Sequence, residues 1–144
     1  VVQAPFGMIA FEIDKIEEKT TLNGKTLEVV VKDKEKDVAV FKLPKDYSGQ
    51  RFPFEIGDSD KLDYGHEVLL IGNPRLKGIN VREGIVAAKF DNGNFSVSAY
   101  IERGDSGTAL VDRKNFALLG LNAERWYDGV AIIRGINLFK PYLK

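Results

Sequence analysis

The 144-residue sequence contains no cysteine and only one histidine and one methionine. The absence of cysteine excludes a disulfide framework and a thiol nucleophile. With a single histidine and no cysteine, the chain has no cluster of side chains at metal-ligand spacing. We therefore expect neither a bound metal nor another cofactor.

The sequence also lacks an excess of charge and a long apolar run. Lysine and arginine total 21, aspartate and glutamate total 21, and the formal net charge is zero. A nucleic-acid-binding β-barrel is disfavoured, because such proteins carry a basic face studded with aromatic residues. A spanning helix needs a run of about 18 apolar residues. We expect no nucleic-acid partner and no membrane segment.

The hydrophobic pattern is that of short strands nearly throughout. The pair Asn23-Gly24 predicts a type I′ hairpin turn, and Asn137 is the predicted N-cap of a short helix over 137–143. Many short strands with frequent turns indicate an all-β barrel or sandwich. The predicted strands are 26–31, 38–41, 67–71, 79–90, 94–101, 108–111, 117–121 and 130–134.

The segment 104–107 reads Gly-Asp-Ser-Gly and precedes an apolar strand. A serine between glycines is typical of a nucleophile displayed on a tight turn. The backbone amides of Gly104 and Ser106 are then expected to point at one place, where a developing oxyanion would be stabilised. Taken alone, the four residues also fit an ordinary β-turn.

Further segments follow in a recognisable order. Asp37 stands directly before the apolar strand at 38–41, 72–74 reads Gly-Asn-Pro, 84–86 reads Gly-Ile-Val, and the serine turn comes next. This series resembles the trypsin-fold (chymotrypsin-like) serine peptidases, and most closely their HtrA-type bacterial branch. The resemblance covers roughly residues 21–143.

The resemblance implies one peptidase domain over 1–144, built from two antiparallel β-barrels at about 1–60 and 61–144, of which the first is either complete or incomplete. Ser106 would be the nucleophile, Asp37 would orient a histidine, and the Gly104 and Ser106 amides would form the oxyanion hole. The residues implied to bind substrate are Tyr100, Ile101, Glu102 and Arg103 around the primary specificity pocket, and the backbone of Leu121, Asn122 and Ala123 as a pairing strand.

Two positions depart from the branch pattern. Asp105 stands where asparagine is common, and Thr108 where glycine is common. An acid at position 105 brings the motif nearer the digestive-type enzymes, in which that acid pairs with a freed amino terminus. The sequence after Val2 does not continue as that pairing would require.

The histidine of the triad is missing. The family order is histidine, aspartate, serine, whereas His66 follows Asp37 and is expected to be a solvated surface residue. A serine hydroxyl without a base is a poor nucleophile. We expect the base just upstream of Val1. The alternative is that no such histidine exists.

Two functions therefore remain open from the sequence. The first is a serine endopeptidase that hydrolyses peptide bonds through an acyl-enzyme on Ser106. The second is a catalytically inactive pseudoprotease that binds extended peptides. Both imply a protein or peptide partner, and an oligomer is possible because HtrA-type relatives often assemble.

Overall fold

The computed structural model describes residues 2–3, 8–11, 20–126 and 129–143, and these residues form twelve β-strands and four short 3₁₀ turns. The strands are β1 (Val2–Gln3), β2 (Met8–Phe11), β3 (Thr21–Leu22), β4 (Lys25–Thr26), β5 (Glu28–Asp33), β6 (Val38–Lys42), β7 (Glu67–Gly72), β8 (Asn80–Lys89), β9 (Asn94–Val97), β10 (Ala109–Asp112), β11 (Leu118–Arg125) and β12 (Ala131–Gly135). The chain divides into two compact units, one made of Val1–Pro53 with Phe139–Lys144 and the other of Phe54–Leu138.

The first unit contains an antiparallel four-stranded sheet in the order β1-β2-β6-β5 and the separate β3–β4 hairpin. The hairpin turn at Asn23 and Gly24 has φ angles of 51° and 77°. Positive φ at both central residues is the signature of a type I′ turn, so this prediction is confirmed. The core of the unit is formed by Leu27, Ala39, Phe41 and Leu43, with Leu22 and Tyr47 packed against them.

The second unit is a closed antiparallel barrel with the strand order β10-β11-β12-β9-β8-β7. Closure pairs both edges of every strand, so the unit leaves no open sheet edge among these six strands. In β7, Val68 and Leu70 are fully buried and alternate with more exposed neighbours, as expected for a strand with one face in a core. The core residues are Leu62, Val68, Leu70, Val86, Phe95, Val97, Ala99, Ile101, Leu110, Leu119, Ala131 and Ile133.

The all-β prediction is confirmed. The second unit forms a closed barrel, while the described strands of the first unit form an open sheet. The strand predicted over 94–101 ends at Val97. Beyond it, the Ser98 hydroxyl accepts the Ile85 amide, and Ala99 comes so close to Gly84 that a side chain there would overlap with it. The chain then turns toward residues 100–107.

The prediction of a single helix over 137–143 is wrong. The structure has two 3₁₀ turns instead, Ile136–Leu138 and Lys140–Tyr142. Pro141 lies inside the second turn and has no amide hydrogen to donate, so a regular α-helix cannot run through this position.

Candidate active site

The serine turn links β9 to β10 in the second unit, and Ser106 is exposed on it. Gly104 and Gly107 have φ angles of 98° and 77°, in the region that favours glycine. The Ser106 hydroxyl has a long contact of 3.5 Å with the carbonyl oxygen of Ala123. This distance is too long for a strong hydrogen bond. The turn therefore displays a loosely held hydroxyl to solvent.

Asp105 anchors the turn through its buried side chain. Its side chain is completely buried and accepts two hydrogen bonds from the Arg82 guanidinium, at 2.7 and 2.8 Å. It also accepts the backbone amide of Glu102 at 2.7 Å. Two parallel bonds from a planar guanidinium fix orientation as well as distance. The residue directly before the serine is thus held from two sides.

The charge on Asp105 is stabilised in this setting. Burial raises the pKa of the carboxyl, but the hydrogen bonds from Arg82 and the Glu102 amide, together with the guanidinium charge, outweigh burial. The pKa therefore lies below its ordinary value, and the Asp105 carboxyl is ionised at neutral pH. Gly72 leaves room for it, because a Cβ there would overlap with the Asp105 carboxylate and lie 2.7 Å from the Arg82 guanidinium.

The backbone of Asp105 is tied to β11. Its carbonyl oxygen accepts the Thr108 hydroxyl at 2.6 Å and the Asn122 side-chain amide at 3.1 Å. The backbone carbonyl of Asn122 in turn accepts the backbone amide of Gly107 at 2.7 Å. The backbone amide of Asn122 donates to the Thr108 carbonyl at 2.9 Å. The serine turn and β11 therefore form one hydrogen-bonded block.

One peptide plane of the predicted oxyanion hole has a fixed orientation. The Arg103 carbonyl accepts the backbone amide of Arg75 at 3.0 Å. A trans peptide holds its C=O and N–H in opposite directions, so the Gly104 amide hydrogen points away from Arg75. Arg75 itself has φ 53°, an uncommon value for a residue with a side chain.

The four residues implied to surround the specificity pocket have different environments. The Ile101 side chain belongs to the barrel core, whereas Tyr100 is 57% exposed and Arg103 is exposed. The Tyr100 hydroxyl donates to the Glu102 carboxylate at 3.0 Å, and Arg75 pairs with the same carboxylate at 3.1 Å. The charge of Glu102 is therefore balanced by a residue of the loop between β7 and β8.

The three residues expected to pair with a substrate strand do not behave alike. Leu121 pairs with Ala109 on one side and Arg134 on the other, and both backbone groups of Asn122 bond to the serine turn. Their backbone thus takes part in hydrogen bonds within the second unit. Ala123 lies at an irregularity of the β11–β12 register, with its carbonyl beside the Ser106 hydroxyl.

His66 is also different from the solvated side chain that we expected. Its Nε2 lies 2.5 Å from the Asp112 carboxylate, and its side chain is 36% exposed. Burial raises the pKa of Asp112, but hydrogen bonds from His66 and from the Lys114 and Asn115 amides outweigh it and hold the pKa below its ordinary value. Asp112 ends β10, whereas Ser106 precedes its start, so His66 is bound at the strand's other end.

Asp37, the predicted orienting acid, lies in the first unit and Ser106 in the second. Asp37 is the last residue of a turn, is partly buried, and directly precedes β6. Its φ angle is 55°, in the left-handed region that aspartate adopts more readily than most residues. The position before a buried strand is the one that the sequence predicted.

Sequence reasoning missed Arg82 as the partner of Asp105. The hydrophobic pattern of β8 gave no signal for it, because the apolar Val81 is exposed and the charged Arg82 beside it is mostly buried. Alternation therefore turns a charged side chain inward at this position. A buried arginine requires a buried acid, and Asp105 is that acid.

Comparison with known proteins agrees with this architecture. A family model described as a trypsin-like peptidase domain matches residues 9–121. The chain belongs to the trypsin-like peptidase family. It is 34% identical over 133 residues to a Staphylococcus aureus protein named "Serine protease HtrA-like", a match covering 78% of this chain and 17% of that protein.

Solved structures of proteases agree as well. The serine endoprotease from Yersinia pestis superposes with a TM-score of 0.77 at 26% identity, covering 98% of this chain and 54% of that one. The HtrA-type protease AlgW with a decapeptide gives a TM-score of 0.76 at 24% identity, covering 99% and 49%, and this likeness concerns the fold. The chain thus spans about half of these solved chains and about a sixth of its S. aureus relative.

Two features are absent from the described residues. Within 2–3, 8–11, 20–126 and 129–143, no group of three or more His, Cys, Asp or Glu side chains is placed to hold a metal ion. The same part of the chain contains no helix that is long and apolar enough to cross a membrane.

Proposed function

We propose that this chain is the core of a serine endopeptidase in which Ser106 is the nucleophile. The observation that carries the proposal is the serine turn: an exposed Ser106 follows a buried Asp105 that is fixed by Arg82. A nucleophile needs access to substrate and a rigid backbone at the same time. Membership of the trypsin-like peptidase family supports the same chemistry.

In the proposed reaction, the Ser106 hydroxyl oxygen attacks the scissile carbonyl carbon and passes its proton to a base. The negative charge that forms on the carbonyl oxygen is stabilised by the Gly104 and Ser106 amides. The base then protonates the leaving amine, and water releases the acyl group from Ser106. The fixed peptide plane between Arg103 and Gly104 supports this role for Gly104.

The base is proposed to be a histidine that precedes Val1 in the protein, oriented by Asp37. His66 is the only histidine of these 144 residues, and it is bonded to Asp112. An aspartate in the orienting position selects the tautomer and stabilises the imidazolium. The position of Asp37 immediately before β6 supports its assignment to this role.

The proposed substrate is an extended protein or peptide segment. AlgW, which shares the fold, has been solved with a decapeptide. In this chain, Ala123 is the residue of the predicted pairing strand whose carbonyl lies beside the Ser106 hydroxyl. Residues 100–103 lead directly into the serine turn and are proposed to contact the side chain that precedes the cleaved bond.

A second candidate function is peptide binding without catalysis. One observation favours it, because the histidine in these residues is committed to Asp112. Such a pseudoprotease would keep the serine turn and the β11 irregularity and would bind extended peptides without cleaving them.

Hydrolysis of casein by the full natural protein separates the two functions. The endopeptidase proposal predicts multiple turnovers by the wild type and loss of activity in Ser106→Ala, while a labelled peptide still binds to that variant. Equal peptide binding by both proteins with no hydrolysis by either would instead establish the pseudoprotease. Ser98→Ala is the control for Ser106→Ala. It changes a serine of the same barrel and should leave the rate of hydrolysis unchanged.

A further inference from the structure

Arg82 makes three hydrogen bonds into the segment that carries the serine. One guanidinium nitrogen donates to the Tyr100 carbonyl and to Asp105, both at 2.7 Å, and the other donates to the second Asp105 oxygen at 2.8 Å. Arg82 lies on β8, opposite Leu70 of β7, and its side chain is 14% exposed. A rigid barrel strand thus holds both ends of the segment from Tyr100 to Asp105.

We propose that Arg82 is a positioning residue for Ser106, acting through Asp105. The inference rests on the proposed peptidase function and adds to it a residue that neither the family motif nor the comparisons assign. Arg82 touches neither the reacting hydroxyl nor the predicted oxyanion donors. It fixes the residue that lies between them in the chain.

The physical reason is the cost of an unpaired buried charge. Asp105 is completely buried, and a buried carboxylate that loses its partner must move toward water or take up a proton. Movement of Asp105 would carry Gly104 and Ser106 with it, because both are its covalent neighbours. A displacement of about 1 Å in a catalytic group can cost about 10²-fold in rate.

The charged groups around Asp105 are few among the described residues. Arg82 faces it from β8. Glu102 belongs to the same turn and is itself paired with Arg75 from the loop between β7 and β8. The other hydrogen-bond partners of the Asp105 residue are neutral, namely the Glu102 amide, Thr108 and the Asn122 side chain. Arg82 is therefore the group that compensates its charge directly.

The test compares four variants of the full natural protein with the wild type: Arg82→Met, Arg82→Lys, the double variant Arg82→Met/Asp105→Asn, and the control Arg113→Met. Arg113 forms exposed ion pairs with Glu67 and Glu83 on the same barrel. The readouts are kcat and KM for a peptide substrate between pH 5 and 9. Each activity is expressed as a ratio to the wild type at the same pH, which cancels titration of the catalytic base.

For Arg82→Met we expect kcat to fall about 10²-fold at pH 8 with little change in KM. The ratio should rise toward one as the pH falls, because protonation removes the uncompensated charge of Asp105. The kcat of Arg82→Lys should lie between those of the wild type and Arg82→Met, because a lysine keeps the charge but cannot donate the same two parallel bonds. The double variant should regain activity and show a ratio that does not depend on pH, and Arg113→Met should match the wild type.

A pH-independent ratio for Arg82→Met, or a double variant no more active than Arg82→Met, would overturn the positioning role. Amide hydrogen exchange of residues 104–107 provides a readout that does not need catalysis. Faster exchange in Arg82→Met than in the double variant supports the role, and equal exchange overturns it. If the wild type shows no Ser106-dependent hydrolysis, the proposed function fails, and hydrogen exchange alone then decides whether Arg82 orders the turn.

Discussion

The backbone amide of Arg75 donates to the carbonyl oxygen of Arg103 at 3.0 Å. This single bond connects the loop between β7 and β8 to the peptide whose other end is the Gly104 amide. Arg75, the donor of this bond, has a φ of 53°. The loop and the serine turn are thereby linked through main-chain atoms, which side-chain substitutions alone would not remove.

Two substitutions at Arg75 should therefore differ strongly. Arg75→Gly keeps the amide donor and adopts positive φ without strain, losing only an exposed ion pair worth about 0–1 kcal/mol. Arg75→Pro removes the amide hydrogen and cannot take a positive φ. We expect Arg75→Gly to lose less than tenfold in kcat and Arg75→Pro to lose 10²-fold or more in a peptide-hydrolysis assay. Similar activities for the two would contradict the role of this bond.

Gly104→Ala should impair catalysis more than it impairs folding. A Cβ at this position would lie 3.1 Å from the Arg75 amide nitrogen, and the φ of 98° is unfavourable for alanine. Gly65→Ala is the matched control, because its φ is 82° but nothing lies within 4 Å of a Cβ there. Both should lose about 1–2 kcal/mol of unfolding free energy, measured by urea denaturation.

Only Gly104→Ala should also lower kcat, because only there does the strain act on a proposed oxyanion donor. Equal kcat values for the two glycine variants would argue against this assignment of the Gly104 amide.

Asp105 should make stability depend on pH in the acid range. Its pKa is lowered in the folded state, so the folded protein binds fewer protons than the unfolded chain. The contribution of Asp105 to the free energy of unfolding is fully present above its pKa in the unfolded chain, about 3.9. It is lost as the pH falls through the lower pKa of the folded state. Asp105→Asn should cost about 3 kcal/mol at pH 7 by leaving Arg82 unpaired.

That deficit should shrink below about pH 4, where the wild type loses the same charge. Urea denaturation between pH 2 and 7 measures it, with the exposed Asp63→Asn as control. A deficit that stays constant down to pH 2 would show that the Arg82–Asp105 pair does not carry the stability assigned to it.

His66→Ala tests whether the internal histidine has a catalytic part. Because His66 is bonded to Asp112, the last residue of β10, whereas Ser106 precedes that strand, we expect the variant to retain the wild-type rate of Ser106 reaction. A single side-chain hydrogen bond contributes about 1 kcal/mol to stability, so the variant should also fold. Loss of the Ser106 reaction in His66→Ala would mean that His66 is the base, and the proposed upstream histidine would be unnecessary.

Much of the fold follows from sequence pattern because it depends on local rules. The alternation in β7, the Asn23-Gly24 turn and the display of Ser106 between two glycines are each specified by neighbouring residues. The same rules failed at 137–143, where Pro141 prevents a continuous helix. They also failed at 98–101, where the Ser98 hydroxyl accepts the Ile85 amide and Ala99 lies against Gly84.

The contacts around the serine depend instead on register between distant strands. The pairing of Arg82 with Asp105 requires that β8 be placed correctly against the serine turn, which a single sequence does not specify. The use of the Asn122 backbone inside the barrel depends in the same way on how β11 meets residues 107 and 108. The residue types could be predicted there, but their partners could not.

The most direct test of the central claim is labelling of the full natural protein with a fluorophosphonate probe, followed by mass spectrometry of the modified peptide. The probe reacts with serines that are activated as nucleophiles. We predict one modification, on Ser106, that disappears in Ser106→Ala. A protein that binds peptides but shows no labelling of Ser106 would contradict the claim that this serine is a catalytic nucleophile.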